Sequence, residues 1–264
     1  CAEPITIKSS STTATTIEKT AGTVTVTHCY IEGVTASGGA NFIAENSVNG
    51  GNNSGWTFIE SVQNLYWVGG TGNWNDITHW ASESGGAGGY CLPTQLDNVI
   101  FDDNSFIQTG QAVYVDVADA MCNNMDWSAV TFDPTFTSLS NTYPLTIFGS
   151  LVLSPDMNFA FSGPVWFAGE TPVKSGYEIT MAGNNFNNAV YFSGEGGIWT
   201  LMDNFTIPSN DLYLNFGTLN TNGVITVKVT KLSKDTTLSN IINLLKTAQG
   251  KQIPISRFAD KIAN

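Results

Sequence analysis

The sequence predicts a mostly β chain, coiled as a right-handed β-solenoid, with a short α-helical tail at its C-terminus. Three observations predict it. Short runs of alternating β-branched and polar residues recur about every ten residues, clusters of Gly, Asn and Asp separate them, and the charge pattern breaks near residue 223. A β-sandwich is the alternative architecture for such spacing. Only 12% of the 264 residues are charged, while aromatic residues are plentiful, so the chain has ample material for a core and none of the composition of disorder.

The first segment, residues 1–62, alternates at Ile5-Thr6-Ile7, at Thr23-Val24-Thr25-Val26-Thr27 and at Cys29-Tyr30-Ile31. Period-two alternation of this kind reads as strand. Gly38-Gly39 and Asn49-Gly50-Gly51-Asn52-Asn53 read as turns, because Gly and Asn accept positive φ at little cost. The second segment, residues 63–222, opens with a dense signature from Tyr66 to Asp76, followed by His79-Trp80. Trp67, Trp74 and Trp80 fall within 14 residues and are separated by glycines, which predicts a knot of rings sealing one end of a strand stack. Strands then follow at Tyr114–Val117, Leu145–Phe148, Leu151–Leu153, Val165–Phe167, Tyr177–Met181, Val190–Phe192, Trp199–Met202 and Leu212–Leu214. The third segment, residues 223–264, begins with a strand at Val224–Thr230. Leu238, Ile241, Ile242, Leu245 and Ala248 then share one helical face, with Asp235 or Thr236 as N-cap and Gly250 as the stop. Pro254 opens a second helix carrying Ile255, Phe258, Ala259 and Ile262.

Charge separates the same pieces. Residues 1–222 hold three basic and 20 acidic residues, a net of −17, whereas residues 223–264 carry +5. An acidic chain of this kind excludes nucleic acid as a partner, because phosphates demand clustered Lys and Arg. No apolar run reaches the length of a membrane helix. Cys1, Cys29, Cys91 and Cys122 form no C-x-x-C pair; disulfides and buried free thiols both remain open readings. A lipidated Cys1 is weighed against a fragment of a longer chain, and the strand-like residues starting at Ile5 favour the fragment.

Candidate sites are few. Trp67, Trp74 and Trp80 offer rings on which a surface glycan could stack, and a packed cap is the competing reading. Asp97, Asp102 and Asp103, with Asn104, offer the oxygen ligands that calcium takes, though not at the spacing of a known calcium loop. A solvated turn is the competing reading, and calcium is the one cofactor left open. His28 and His79 stand alone and lack the company that zinc needs. Asp102 and Glu170 are an acid pair of the sort that glycosidases use, but an acidic chain offers such pairs by chance. The Gly-rich run at 84–89 lacks the Gly-Lys-Ser/Thr that completes a phosphate loop. No catalytic, cofactor or metal residue is expected.

Two resemblances add to this reading. Gly50–Trp56, Tyr66–Trp80, Pro93, Asp97–Phe106, Cys122–Trp127, Gly149-Ser150-Leu151, Gly196–Leu201 and Gly217–Gly223 resemble repetitive adhesin-like surface proteins of Bacteroidetes-type and environmental bacteria. That resemblance implies an extracellular or cell-surface location, a structural or adhesive role, and surface glycans or other surface proteins as partners. The stretch from Ile225 to Asn264, through Ala248-Gln249-Gly250, Pro254, Arg257 and Ala259-Asp260-Lys261, resembles the end of the actuator domain in heavy-metal, copper-type P-type ATPases. Gly169-Glu170-Thr171-Pro172-Val173 is superficially similar to the actuator loop of those pumps, but it lacks the Ser and lies too far from Gly217. No phosphorylation loop, nucleotide domain or Cys-Pro-Cys site accompanies the tail. The two patterns nearly coincide at Gly217–Gly223, which is the expected seam of a chimera, and the C-terminal helices offer a surface for self-association. The alternatives to an adhesive module are a carbohydrate-binding or carbohydrate-cleaving solenoid and an inactive fragment related to a pump by its tail.

Overall fold

A computed structural model describes residues 5–59, 62–169, 176–208 and 211–227, and the described residues belong to one compact unit. The two helices read over 238–248 and 254–262, and the loop around Glu170, lie outside the described residues. So does Cys1.

The chain winds as a β-solenoid of about nine turns. The first rung is β1 (Ile5–Lys8), β2 (Thr15–Glu18) and β3 (Thr23–Thr27). The second is β4 (Cys29–Glu32), β5 (Val34–Ser37) and β6 (Asn41–Glu45). The third is β7 (Val48–Asn49) and β8 (Trp56–Ile59), with Ser54 bridged to Thr35 where a middle strand would run. Next come β9 (Asn64–Trp67) and β10 (Gly72–Asn73), a 3-10 turn over Ile77–His79, and β11 (Trp80–Ala81). Three rungs follow in close succession: β12 (Asn98–Ile100), β13 (Ala112–Val115) and β14 (Ala120–Cys122); β15 (Met125–Asp126), β16 (Thr135–Ser138) and β17 (Leu145–Ile147); β18 (Leu151–Val152), β19 (Asn158–Phe159) and β20 (Val165–Phe167). The last rungs hold β21 (Tyr177–Thr180) and β22 (Val190–Phe192), then β23 (Ile198–Leu201), β24 (Phe205–Ile207) and β25 (Leu212–Leu214), then β26 (Thr218–Thr221) and β27 (Ile225–Val227).

Pairing decides the architecture. Val99 lies on Met125 and Met125 on Leu151, 26 residues apart each time, and the pairing is parallel. Among the described strands the one antiparallel pair is β9 with β11. A β-sandwich is built from antiparallel hairpins, so that alternative is set aside. The longest sheet runs β11-β9-β12-β15-β18-β21-β23-β26, and two further sheets climb beside it as β10-β13-β16-β19 and β14-β17-β20-β22-β25.

Each strand turns alternate side chains inward, so rung-to-rung pairing stacks like on like. Val99, Met125, Leu151, Ile179 and Leu201 form one such column, and every one is buried. Burying a side chain of this size stabilises by about 1.5–3 kcal/mol, so each rung is held chiefly by its own column entries and its neighbours. Aromatic rings fill the middle. Phe101 stacks on Trp127 with centroids 3.6 Å apart and 6° between planes, and Phe167 stacks on Phe192 at 4.9 Å. A smaller apolar cluster around Cys29, Ile31, Val34 and Ala44 fills the first rungs.

Polar side chains staple the corners. Asn98 Nδ2 donates to Asn64 Oδ1 (2.9 Å), Asn124 Nδ2 donates to Asn98 Oδ1 (2.7 Å), and the Ser150 N–H donates to Asn124 Oδ1 (2.7 Å). Asp203 accepts from the N–H groups of Met181 and Ala182, fixing the turn in which Ala182 holds φ +50°. These bonds occupy backbone groups that a strand end would otherwise leave unpaired.

Candidate functional site

The Trp-rich signature folds into a sealed knot. Trp67, Trp74 and Trp80 are 0%, 2% and 0% exposed. Trp67 and Trp80 meet edge to face at 5.1 Å, and Trp74 meets Trp80 at 4.9 Å. Their indole N–H groups are committed as well: Trp67 Nε1 donates to the Gly70 carbonyl and Trp80 Nε1 to the Trp74 carbonyl. His79 stacks on Trp67 at 4.7 Å, with Nδ1 2.7 Å from the Val68 carbonyl oxygen. A Cβ on Gly72 would sit 2.0 Å from His79 Nε2, so the imidazole packs there because residue 72 has no side chain. No ring face is left open for a sugar, and the glycan contact read for these three residues does not fit their placement. The reason is topological. β11 folds back on β9 at the end of the longest sheet, and the rings fill the space beneath that hairpin.

The three aspartates are not brought together. Asp97 is buried, and its Oδ2 accepts from the Thr94 N–H (2.9 Å) and hydroxyl (2.6 Å), closing a turn before β12. Burial pushes its carboxyl above the usual carboxylate range, and the Thr94 bonds pull against that rise. Asp102 Oδ1 accepts from the Asn104 N–H and the Ser105 hydroxyl in a separate turn, and Asp103 is exposed beside it. Among the described residues no three His, Cys, Asp or Glu side chains are grouped as metal ligands. The Asp97 and Asp102 carboxylates each accept hydrogen bonds that close a turn.

His28 sits at the corner between β3 and β4 with φ +55°, and its Nε2 is buried without a hydrogen-bond partner. Burial lowers its pKa. Cys29 and Cys122 are free and buried, and burial pushes both thiols up, against the thiolate that nucleophilic chemistry needs. Cys91 is disulfide-bonded.

Sequence reasoning missed one surface feature. Trp166, Tyr191 and Tyr213 point outward from β20, β22 and β25 in direct register. They stack at 3.8 Å and 4.5 Å with planes 5° and 3° apart. Tyr213 is 37% exposed and its hydroxyl donates to Asp211, whose carboxylate raises the phenol pKa. The signal was available: each of the three is the middle residue of an apolar triplet, V-W-F, V-Y-F and L-Y-L. Such triplets place the outer two side chains inward and the middle one on the surface.

No family model matches the chain, and no solved structure does. Short stretches are similar to curated metal pumps. The chain is 56% identical over 46 residues to a copper-exporting P-type ATPase of Staphylococcus haemolyticus, and 49% identical over 47 residues to a probable copper-importing P-type ATPase A of Enterococcus hirae. It is also 51% identical over 47 residues to a probable cadmium-transporting ATPase of Alkalihalophilus pseudofirmus. These matches take in 17–18% of this chain, consistent with the pump-like segment read at its C-terminal end, and the chain spans 6% of the length of each relative.

Proposed function

We propose that residues 1–222 serve as a non-catalytic structural or adhesive β-solenoid module of a bacterial surface protein, outside the cell or on its surface. The observation that carries this reading is how the rungs spend their side chains. Inward positions close an apolar interior, corner Asn, Ser and Asp residues staple one rung to the next, and the outer faces carry an acidic, polar coat. That construction suits a self-supporting spacer kept soluble by its charge. The bonded Cys91 supports an oxidising compartment. The coil is right-handed in this proposal, following the general hand of parallel crossover connections. The test is antibody labelling of intact source cells with and without permeabilisation. Labelling without permeabilisation is the expected result, and antigen reached only after permeabilisation would sink the proposal.

One observation favours a second reading, that of a carbohydrate contact. The Trp166–Tyr191–Tyr213 strip is the surface aromatic feature a saccharide would meet, and a glycan array probed with the wild-type chain and with Tyr213→Ala tests it. The pump-like stretch is proposed as a relic of ancestry joined near Gly217–Gly223. Mass mapping of protein from its source, looking for the tryptic peptide Ser175–Lys228, checks that junction.

A further inference from the structure

One corner in the middle of the coil holds its backbone in a conformation that its residues do not favour. In the loop between β15 and β16, Phe132 has φ +73° and Asp133 has φ +47°, and Pro134 follows. Positive φ is an outlier for a residue as bulky as Phe, and the ring gains little burial in return, being 44% exposed. Asp accepts positive φ more readily, but a residue that precedes proline favours a φ of about −120°. The corner itself suits glycine. Ala112 lies on Thr135 in parallel register, and carried two residues back that register sets Asp133 opposite Gly110, at φ +80°. One rung earlier, Gly69 holds the same place at φ +82°. Both ends of the loop are pinned. Val130 is buried and its N–H donates to the Trp127 carbonyl. Pro134 is buried and its carbonyl accepts from the Asn158 N–H, while the Thr135 N–H donates to the Gln111 carbonyl. Thr131, Phe132 and Asp133 bridge these anchors in the open, so the strain at 132 and 133 cannot relax while the chain is intact.

We propose that Asp133–Pro134 is a self-cleaving bond, opened by the Asp133 carboxyl in mildly acidic surroundings. It is the one Asp–Pro bond in the sequence. Asp133 is exposed, and no described residue donates a hydrogen bond to its carboxyl. A carboxyl oxygen of Asp133 attacks the residue's own carbonyl carbon and closes a succinic-type ring. The new C–O bond forms as the C–N bond to Pro134 breaks. The carboxyl proton passes to the Pro134 nitrogen, which leaves as a secondary amine. Asp133 is left as a cyclic anhydride, and water opens it to a side-chain and a terminal carboxyl. The sum is hydrolysis of one peptide bond, with no change of redox state. Strain favours the forward step, because cleavage frees the backbone at both 132 and 133. The parted ends also let water, rather than Pro134, meet the anhydride. The cut falls at a corner, so the ladders β12-β15-β18 and β13-β16-β19 stay paired and the product is a nicked coil.

The experiment incubates the 264-residue chain at the lowest pH at which circular dichroism keeps its native signal, and in parallel at the same pH in guanidinium. Denaturing gels and mass spectrometry follow the fragments 1–133 and 134–264. Asp–Pro bonds are acid-labile in any unfolded chain, so the denatured sample gives the rate without strain. The folded chain is expected to cleave about tenfold faster or more, the rate that release of two strained residues can supply. Phe132→Gly keeps the carboxyl and relieves the φ of +73°, and its folded rate is expected to fall toward the denatured one. Asp133→Gly removes the carboxyl and suits the corner as Gly110 does, and it is expected to give no fragment. A folded chain that stays intact, or cleaves no faster than the denatured one, overturns the proposal. So does a Phe132→Gly variant with the wild-type folded rate, or fragments that persist in Asp133→Gly.

Discussion

Trp127 tests whether the ring stack or the hydrogen bonds dominate the interior. Its indole is fully buried, lies flat on Phe101 at 3.6 Å and meets Phe136 edge-on at 5.4 Å, yet its Nε1 has no hydrogen-bond partner. Trp127→Phe keeps one ring in the stack and removes the orphaned N–H. The smaller ring leaves a cavity of roughly 40 Å³, which at about 24 cal/mol per Å³ costs ~1 kcal/mol. Removing a buried unpaired donor returns about 1–3 kcal/mol. The two nearly cancel, so Trp127→Phe is expected within about 1 kcal/mol of the wild type, or more stable. Trp127→Ala forfeits the stack as well and is expected to lose about 3–5 kcal/mol. Urea unfolding followed by circular dichroism measures both, with the m-value reporting whether the whole solenoid or only some rungs unfold together. A loss above about 2 kcal/mol for the Phe variant would refute the reasoning, since it would mean that the N–H has a partner worth keeping.

Other outcomes follow from the same physics. Asn124→Ala removes the donor to Asn98 and the acceptor for the Ser150 N–H, and is expected to cost about 1–3 kcal/mol in the same assay. Asp97 has a raised folded pKa, so the folded state holds its proton more tightly than the unfolded chain and stability from this residue falls as pH rises through that window. Asp97→Asn should therefore be relatively more stable than the wild type at pH 7 than at pH 3, as urea midpoints at the two values will show. His28 runs the other way: its folded pKa is lowered, so its contribution is present above its unfolded pKa of about 6.5 and is lost as pH falls. His28→Asn, which also tolerates the φ of +55°, should remove that acid sensitivity and raise the urea midpoint at pH 5.

Much of the coil was legible because inward and outward positions alternate visibly. The triplets at Val165–Phe167, Val190–Phe192 and Leu212–Leu214 are strands at the bounds read from sequence. β2 and β5 were not read, since T-T-I-E and V-T-A-S carry little apolar signal and owe their extended form to the parallel ladder between them. β11 was not read as an antiparallel return either. Trp80-Ala81 has no alternation of its own, and the hairpin is set by the 3-10 turn that Asp76 caps. For the candidate sites, residue type was misleading. Three tryptophans near glycines look available on paper, but all three rings are buried, and the glycines make room for His79 and Gln111 beside them, while the surface rings hide as single letters inside ordinary strands 22 to 25 residues apart.

The antiparallel pair of β9 and β11, the single one among the described strands, also sets how the molecule yields to a pull. Along the stack each rung adds about 5 Å, the spacing between neighbouring strands, whereas the 26 residues between Met125 and Leu151 stretch to about 90 Å when drawn out. Tension applied along the axis peels parallel strands from the ends one rung at a time, and each release lengthens the chain roughly twentyfold over the rung it came from. Where β11 is folded back on β9 and locked under its rings, the peeling front meets a strand running the opposite way. Under such a pull the hairpin would act as a stop, dividing the described rungs into two stretches able to give way separately.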